Sequence, residues 1–320
     1  MKEYAVISNE ARSTTEAFGK ALTELADVHQ DVCALSADLA GSVKVTLMQK
    51  KYPERVFDVG IAEQNMMSMA AGLALGGLVP FAATFSVFAS LRDLDQIHTD
   101  ICYMNANVKM LGSHGGTSFS QAGSTHHALE DIAALRGMAN LTIICPADYV
   151  ETQLATKAAY EKYGPIYIRI NRGTDYDVYN TDKYGFEIGK AVRMTDGTDF
   201  TVIACGSTVH EALVAAASLK EKGVSLRVVN MHTIKPIDRA EVISAMKETK
   251  GIITAEDHNV IGALGSAVAE VIAENGGACA FRRLGVPDEF SIIGARKDIL
   301  AHYEIDAAGI EKNVLEMLGK

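Results

Sequence analysis

The stretch between Glu63 and Arg92 contains no charged residue, and this restricts how the chain can fold. A run of this length is long enough to raise the question of a membrane span. Helix-breaking residues interrupt the run near its middle, namely Gly76, Gly77 and Pro80. Ala, Gly and Ser also outnumber Leu and Ile within it, which is not the membrane pattern. We therefore expect a small-residue helix over residues 63–75, packed tightly in a core, then a turn and a buried strand over residues 81–85.

Glu63 is the carboxylate at the head of this predicted helix. Burying a charged carboxylate among apolar groups is costly unless the group is neutral or paired. A side chain of this kind is therefore a candidate for a functional site. An acid in the first turn of a helix is also favoured by the helix dipole. On residue types alone, both explanations stay open.

The overall composition limits the classes of protein to which the chain can belong. Its 320 residues are 48% apolar, which is enough for two domains with sizeable cores. The net charge is −10 and no basic block occurs, which argues against nucleic acid as a partner. The first 18 residues carry no signal-peptide or lipidation pattern. The five cysteines are scattered, which predicts a reducing cytoplasm and argues against a zinc or disulfide framework.

Predicted strands and helices alternate along the chain in two series. Ser13 and Glu16 form a capping box for the first helix, and Asp148 can cap a later one. The first series has strands at 31–39, 56–59, 81–85, 108–111, 141–145 and 166–170. The second has strands at 200–204, 225–230, 251–255 and 280–284. This alternation indicates parallel sheets covered by helices on both faces.

The predicted fold class is therefore α/β with two domains. A doubly wound, mainly parallel sheet occupies residues 1–180, and a smaller α/β domain occupies residues 190–320. The segment at 174–189 is polar and rich in turn residues, so we expect it to link the two domains.

A loop rich in Gly, Ser and His extends from residue 112 to residue 131 and follows a predicted strand. Open α/β sheets bind their ligands at such strand ends. His114 and His126 in this loop suit proton transfer and hydroxyl recognition. A metal site is the weaker interpretation, because no carboxylate or cysteine falls at ligand spacing before Glu130. His127 lies beside a predicted helix start and fits a capping or surface role.

Three further positions are candidates for binding an anion. Arg12 precedes the first helix, Ser42 lies in a loop, and Arg172 ends the strand at 166–170. An arginine at the end of a strand can clamp a phosphate. Taken singly, each residue of this kind is more often part of a surface salt bridge. The glycine-containing turns at 205–212 and 261–266 are not dinucleotide fingerprints, and no Walker motif is present.

Several short motifs occur here in one order, and together they resemble a known family. They are DVGIAEQNM at 58–66, ATFSVF at 83–88, GSTHH at 123–127, CPAD at 145–148 and TIKPID at 233–238. Over nearly the whole chain, the sequence resembles the C-terminal half of transketolase, which comprises a pyrimidine-binding domain and a C-terminal domain. It is most similar to the separate small subunit of split, two-gene transketolases.

The resemblance implies thiamine diphosphate as the cofactor. Glu63 matches the acid that hydrogen-bonds the cofactor's pyrimidine ring, for which an apolar surrounding without charges would suit a raised pKa. Phe85 and Phe88 match aromatic residues that stack around this ring, and Asp38 matches a carboxylate near the thiazolium ring. Leu91 stands where a further aromatic residue is expected.

The resemblance also implies a sugar substrate. His114 and His126 match histidines that handle the hydroxyl and carbonyl protons of the sugar. Positions that bind the acceptor's phosphate match Arg12, Ser42 and Arg172. The resemblance therefore implies transfer of a two-carbon ketol unit from a ketose to an aldose.

Two departures from the family pattern have consequences. Ala122 stands where transketolases usually carry an Asp that recognises a sugar hydroxyl, so a branched, deoxy or sulfonated ketose is an open possibility. The family's diphosphate-binding motif is absent from this sequence. The diphosphate and Mg²⁺ (or Ca²⁺) must then be held by a partner, the N-terminal-half subunit. We expect an α₂β₂ heterotetramer with its active site between chains, and an inactive chain on its own.

Other functions stay open from the sequence. The β subunit of a 2-oxo acid dehydrogenase shares the glutamate and both domains, although two histidines in a hydroxyl-rich loop favour a sugar. Deoxyxylulose phosphate synthase is less favoured because it is normally one long chain. A non-catalytic scaffold or nucleotide-binding module is the alternative from a different class.

Overall fold

The structure is a computed structural model that describes residues 1–276 and 278–320. Its strands are β1 Ala11–Ser13, β2 Val32–Ser36, β3 Val56–Asp58, β4 Val79–Phe85, β5 Lys109–Ser113, β6 Thr142–Ile144, β7 Ile166–Arg169, β8 Thr174–Tyr176, β9 Val192–Thr195, β10 Phe200–Ala204, β11 Leu226–Asn230, β12 Thr233–Lys235, β13 Gly251–Asn259 and β14 Ala280–Val286. Its α-helices are α1 Thr14–Val28, α2 Thr46–Lys51, α3 Glu63–Leu75, α4 Leu94–Gln96, α5 Asp131–Arg136, α6 Tyr149–Glu161, α7 Thr208–Glu221, α8 Arg239–Glu248, α9 Leu264–Glu274, α10 Arg296–His302 and α11 Ala307–Met317.

Two mainly parallel sheets organise the molecule, which confirms the predicted α/β class. The larger sheet has the strand order β12-β6-β7-β5-β4-β2-β3, and only β12 runs antiparallel to its neighbour. The smaller sheet has the order β14-β13-β10-β11-β9, with β9 antiparallel at its edge. Strands β1 and β8 form a separate antiparallel pair.

Ser13 and Asp148 are confirmed as helix caps, whereas the side chain of Glu16 pairs with Lys20 at 3.1 Å instead of completing the predicted capping box. The side chain of Ser13 accepts a hydrogen bond from the backbone N–H of Glu16 at 3.2 Å. Asp148 Oδ1 accepts one from the N–H of Glu151 at 2.8 Å. These caps satisfy backbone donors that the helices leave unpaired.

The small-residue helix has the predicted bounds, and one of its faces packs in the core as expected. Met66, Met67 and Ala70 on α3 are fully buried. On the opposite face, Met69 is 38% and Leu75 is 62% exposed in this chain. In this chain α3 therefore covers the sheet with one face, although its exposed face also lacks charged residues.

Residues beyond 190 enter the larger sheet. Thr233 of β12 lies opposite Ile144 of β6, so part of the second series completes the edge of the first sheet. Near the N-terminus, the hydroxyl of Tyr4 donates to the carbonyl of Arg193 at 2.7 Å. One buried apolar cluster also joins Met110 on the larger sheet to Leu264 on α9. The boundary between 180 and 190 stays a prediction, and the two units share contacts across it.

Candidate active site

The site is built at the carboxyl ends of β4 and β5, where a parallel sheet normally binds its ligand. Phe85, the last residue of β4, lies opposite Ser113, the last residue of β5. The residue after Ser113 is His114, and its ring centroid lies 3.9 Å from that of Phe85. The strand register therefore brings together two candidate residues that lie in separate sequence motifs.

Five rings pack into what we call the aromatic cluster: Phe85, Phe88, His114, Phe119 and His126. Phe85 and Phe88 stack with centroids 5.8 Å apart. The ring of His126 is T-shaped against the rings of Phe88 and Phe119, with centroid distances of 5.6 Å and 5.5 Å. Edge-to-face and offset pairs of this kind stabilise a rigid arrangement of rings. The cluster joins both predicted histidines to both predicted phenylalanines.

Phe119 is a member of the cluster that the sequence motifs did not predict. Its ring centroid lies 5.5 Å from that of Phe85 and 4.8 Å from that of His114, and both pairs have steep interplanar angles. The guanidinium of Arg172 lies over its ring at 4.7 Å. One signal was present in the sequence, because Phe119 is the only aromatic residue other than histidine in the loop at 112–127.

His114 is held in an unusual backbone conformation. Its φ is +60°, in the left-handed region that non-glycine residues seldom adopt. The Ser113 hydroxyl lies 3.0 Å from its Nδ1. Burial, reinforced by Arg172 and His126, lowers the pKa of His114 to about 3. At neutral pH its imidazole is therefore uncharged, with one donor and one acceptor nitrogen.

Glu63 begins α3 and is only 2% exposed. The prediction of a surrounding without charges is wrong, because Nη1 of Arg92 lies 2.7 Å from its Oε1. A π-helical turn at Phe88–Arg92 brings Arg92 back over the start of α3. The guanidinium also lies 3.9 Å above the ring of Phe88. Arg92 thus connects the acid to the aromatic cluster.

Asp93 adds a second acid beside Glu63. It is fully buried, and neither of its carboxylate oxygens has a hydrogen-bond partner among the described residues. Burial raises the pKa of Asp93 to about 7, the charge of Glu63 adds to this effect, and Arg92 opposes it. No sequence motif had singled out Asp93.

Asp38 and Ser42 lie in the segment that follows β2. Asp38 is exposed, with φ at +59°, and its backbone N–H donates to the Asp58 carboxylate at 3.0 Å. Ser42 is exposed as well. Asp38 thus contacts β3, and the backbone N–H of Ser42 donates to the carbonyl of Leu39 at 2.9 Å, so the predicted roles of both residues stay predictions.

The two candidate arginines have different surroundings. Arg172 is exposed and touches the cluster through Phe119, while its backbone N–H donates to Ser118 Oγ at 3.0 Å. Nε of Arg12 is paired with Asp177 at 2.7 Å, and its guanidinium lies over Tyr149. Of these two arginines, Arg172 is the one whose guanidinium lies against the aromatic cluster, whereas Arg12 is paired with a carboxylate.

The residues present fit a flat nitrogen heterocycle. Phe85 and Phe88 offer aromatic rings, and Glu63 offers a buried carboxyl group that, when protonated, can donate a hydrogen bond to a ring nitrogen. Among residues 1–276 and 278–320, no group of three or more His, Cys, Asp or Glu side chains is arranged to hold a metal ion. In the same part of the chain, no helix has the length and apolar character needed to cross a membrane.

A doubly wound, mainly parallel sheet with aromatic rings and a buried acid at its carboxyl edge defines an α/β protein with a ligand site at the strand ends. Residues 10–175 match the family model described as "Transketolase, pyrimidine binding domain". Residues 189–310 match the one described as "Transketolase, C-terminal domain". The chain therefore belongs to the transketolase family.

Individual relatives agree with this assignment. A putative transketolase C-terminal section of Methanocaldococcus jannaschii is 40% identical, over 98% of this chain and 99% of the relative. An apulose-4-phosphate transketolase subunit of Phocaeicola vulgatus is 38% identical, over 98% of this chain and 100% of the relative. A solved structure described as a split gene transketolase, inactive β4 tetramer, aligns with a TM-score of 0.88 at 38% identity, over 97% of this chain and 99% of that one. The resemblance inferred from the motifs is confirmed, as is a transketolase subunit as the function, whereas the roles of single residues stay predictions.

Proposed function

We propose that this chain is the subunit of a two-chain, thiamine diphosphate-dependent transketolase that supplies the pyrimidine-binding half of the active site. The enzyme transfers a two-carbon ketol unit from an anionic ketose to an aldose acceptor. The observation that carries this proposal is the buried Glu63 beside the aromatic cluster at the carboxyl edge of β4 and β5. When bound, thiamine diphosphate supplies a nucleophilic ring carbon that allows the carbon–carbon bond next to a ketone to be broken.

Glu63 and the phenylalanines would hold the pyrimidine ring. The protonated Glu63 carboxyl group would donate a hydrogen bond to a ring nitrogen, and Phe85 and Phe88, which stack on each other, would pack against the ring. Arg92 is paired with Oε1 of Glu63 in the isolated chain, and we propose that it releases Glu63 when the ring binds, because Glu63 must be a neutral acid to donate to the ring nitrogen. Arg92 is 43% exposed, so its side chain can move into solvent when the ring takes its place beside Glu63. Asp38 is proposed to face the thiazolium ring.

The histidines and arginines would hold the sugar. His114 is uncharged at neutral pH and can donate to a carbonyl or accept from a hydroxyl, and His126 shares the same aromatic wall. Arg172 presents a guanidinium for a phosphate or similar anion, with Ser42 and Arg12 as further anion-binding candidates. With Ala122 in place of an aspartate, we propose an atypical ketose as the donor.

A partner subunit would supply the diphosphate site together with Mg²⁺ or Ca²⁺. Exposed apolar side chains around the start and outer face of α3 support such a partner, since patches of this kind mark interaction surfaces. They include Ile61, Met69, Leu75, Leu91 and Leu94. We propose an α₂β₂ assembly for the active enzyme. For this chain alone we propose an inactive homo-oligomer, because the related split-gene protein is described as an inactive β4 tetramer.

The cytoplasm is the proposed location of the enzyme. All five cysteines are free thiols, which agrees with a reducing compartment. Four of them are buried, and burial raises the pKa of Cys33 to about 12, so this thiol is unreactive.

The first test is calorimetric titration of thiamine diphosphate with Mg²⁺ into the chain alone, into its N-terminal-half partner alone, and into the two together. We expect tight binding only in the mixture. Tight binding to this chain alone would contradict the shared site. A screen of ketose donors then follows on the mixture, and activity with 2-oxo acids instead of sugars would favour the dehydrogenase alternative.

A variant then tests Glu63. Glu63→Gln keeps the shape of the side chain but removes its acidity, and we expect kcat to fall on the order of 100-fold or more. Glu161→Gln, at the exposed end of α6, is the matched control. A complex that keeps full activity with Glu63→Gln would support the scaffold alternative.

A further inference from the structure

The loop that carries Phe119 and His126 is held from outside its own sheet. Asp257 lies in β13 of the smaller sheet and is 4% exposed. Its Oδ1 accepts a hydrogen bond from the backbone N–H of Thr117 at 2.9 Å, and its Oδ2 accepts one from the Thr117 hydroxyl at 3.2 Å. One carboxylate therefore binds both polar groups of a single loop residue.

Gly116 shows how closely the two units meet here. Its φ is +59°, and a Cβ at this position would collide with the carboxyl group of Asp257. Gly116 also exchanges two backbone hydrogen bonds with Ala128, which closes the base of the loop. Only a glycine gives this approach without strain, so the backbone of the loop is shaped to fit Asp257.

Asp257 itself is held in place by two arginines. Nη2 of Arg296 lies 3.5 Å from its Oδ2. Nη2 of Arg169 donates to its backbone carbonyl at 2.9 Å, while Nε of Arg169 pairs with Asp131 at 2.8 Å. The carboxylate is thus fixed in a buried network that spans both sheets, and such networks restrict the geometry of their members.

A second anchor lies at the other end of the loop. Nε2 of His127 lies 2.9 Å from the carbonyl oxygen of Ser120. Because a carbonyl oxygen can only accept, Nε2 is the donor. In the neutral ring, Nδ1 then accepts a hydrogen bond from the Ser291 hydroxyl at 2.6 Å. The Ser124 hydroxyl donates to the carbonyl of Ser291 at 2.9 Å. His127 is therefore buried and structural, and the prediction of a surface or capping role is wrong.

We infer that Asp257 is a positioning residue for the sugar half of the active site. By fixing Thr117, it sets Phe119 and His126 against Phe85 and Phe88. The C-terminal unit thereby contributes to substrate binding without touching substrate. This inference rests on the proposed transketolase function for its kinetic consequence, although its structural consequence does not depend on that function.

The structural consequence is tested on the isolated chain by hydrogen–deuterium exchange. In Asp257→Ala we expect the Thr117 amide and its loop neighbours to exchange about tenfold faster or more, because the acceptor is gone, with β2 and β4 unchanged. Asp257→Asn keeps an acceptor oxygen and should restore most of the protection. Asp298→Ala, at an exposed position of α10, is the matched control.

The kinetic consequence is tested in the complete two-chain enzyme. Asp257→Ala should raise the KM for the donor sugar about tenfold and lower kcat/KM on the order of 100-fold, since small misplacements at reacting groups are costly. The calorimetric affinity for thiamine diphosphate should stay within about twofold, because Glu63, Phe85 and Phe88 belong to α3, β4 and the π-helical turn, whose backbones do not depend on Thr117. Inactivity of the wild-type complex would refute the proposed function and leave the exchange result standing.

Two results would overturn the inference. One is unchanged loop exchange in a folded Asp257→Ala variant. The other is a loss of cofactor affinity equal to the loss of sugar binding. If Asp257→Ala does not fold, Asp257→Leu decides the question, because it removes both acceptor oxygens and keeps a side chain of the same branched shape. Loop exchange in a folded Asp257→Leu variant equal to that of wild type would then refute the inference.

Discussion

Arg92 Nη1 lies 2.7 Å from Glu63 Oε1, so the buried acid at the head of α3 is ion-paired in the isolated chain. The same guanidinium covers the ring of Phe88. The group proposed to bind the pyrimidine nitrogen is thus already occupied by a movable cation. This pairing leads to the first prediction.

Arg92→Ala should destabilise the isolated chain, because it leaves Glu63 buried without its partner. We expect the free energy of unfolding to fall by about 1–2 kcal/mol, a modest value because Arg92 is 43% exposed. Urea denaturation measures this change. Adding Glu63→Gln to Arg92→Ala should recover most of the loss, and an additive double-mutant cycle would contradict the pairing.

Asp93→Asn should stabilise the chain in a pH-dependent way. The folded pKa of Asp93, about 7, lies above the ordinary value of 3.8, so the unfolded chain loses this proton first as the pH rises. The free energy of unfolding of the wild type therefore falls between about pH 4 and pH 7. Asp93→Asn should gain about 2 kcal/mol relative to wild type at pH 8 and almost nothing at pH 4.

Urea denaturation at pH 4, 6 and 8 measures this effect. Asp95→Asn is the control, since Asp95 is exposed two residues further along. A gain that is equal at all three pH values would mean that ionisation of Asp93 is not the cause.

Phe119→Ala should weaken sugar binding more than cofactor binding. Its ring supports His114, His126 and the guanidinium of Arg172. We expect the donor KM to rise about tenfold, in line with the loss of one or two aromatic contacts. Steady-state kinetics of the complex measures this. Phe119→Tyr, which keeps the ring, serves as the comparison and should keep a KM near that of wild type.

Ala122→Asp should shift the donor preference toward ordinary pentose and hexose phosphates. The substitution restores the acid expected to recognise a sugar hydroxyl, and a matched hydrogen bond discriminates strongly between substrates. Ala122 is half-buried at the end of a short 3₁₀ turn, so the new side chain has room. The measurement is the ratio of kcat/KM values for an ordinary and an atypical donor, which we expect to change by about tenfold. Ala122→Asn is the control for size, and an unchanged ratio would mean that Ala122 does not determine specificity.

Local patterns in the sequence predicted most of the elements correctly. The capping residues Ser13 and Asp148 marked helix starts because they satisfy backbone donors within their own turn. Short elements were missed where no local pattern required them. Strands β1, β8, β9 and β12 form by pairing with distant strands, and α10 follows an irregular segment. Tertiary pairing overrides weak local preference in such cases.

The sequence by itself determined the family, the two-domain α/β class, and the motifs that carry Glu63, Phe85, Phe88 and the two histidines. These properties depend on residue type and on spacing along the chain. Only the tertiary structure decided that Arg92 pairs with Glu63, that Phe119 completes the aromatic cluster, and that Asp257 holds Thr117. Each of these contacts joins residues from different elements. Their geometry follows from strand register and from the packing of one unit on the other, which no local pattern encodes.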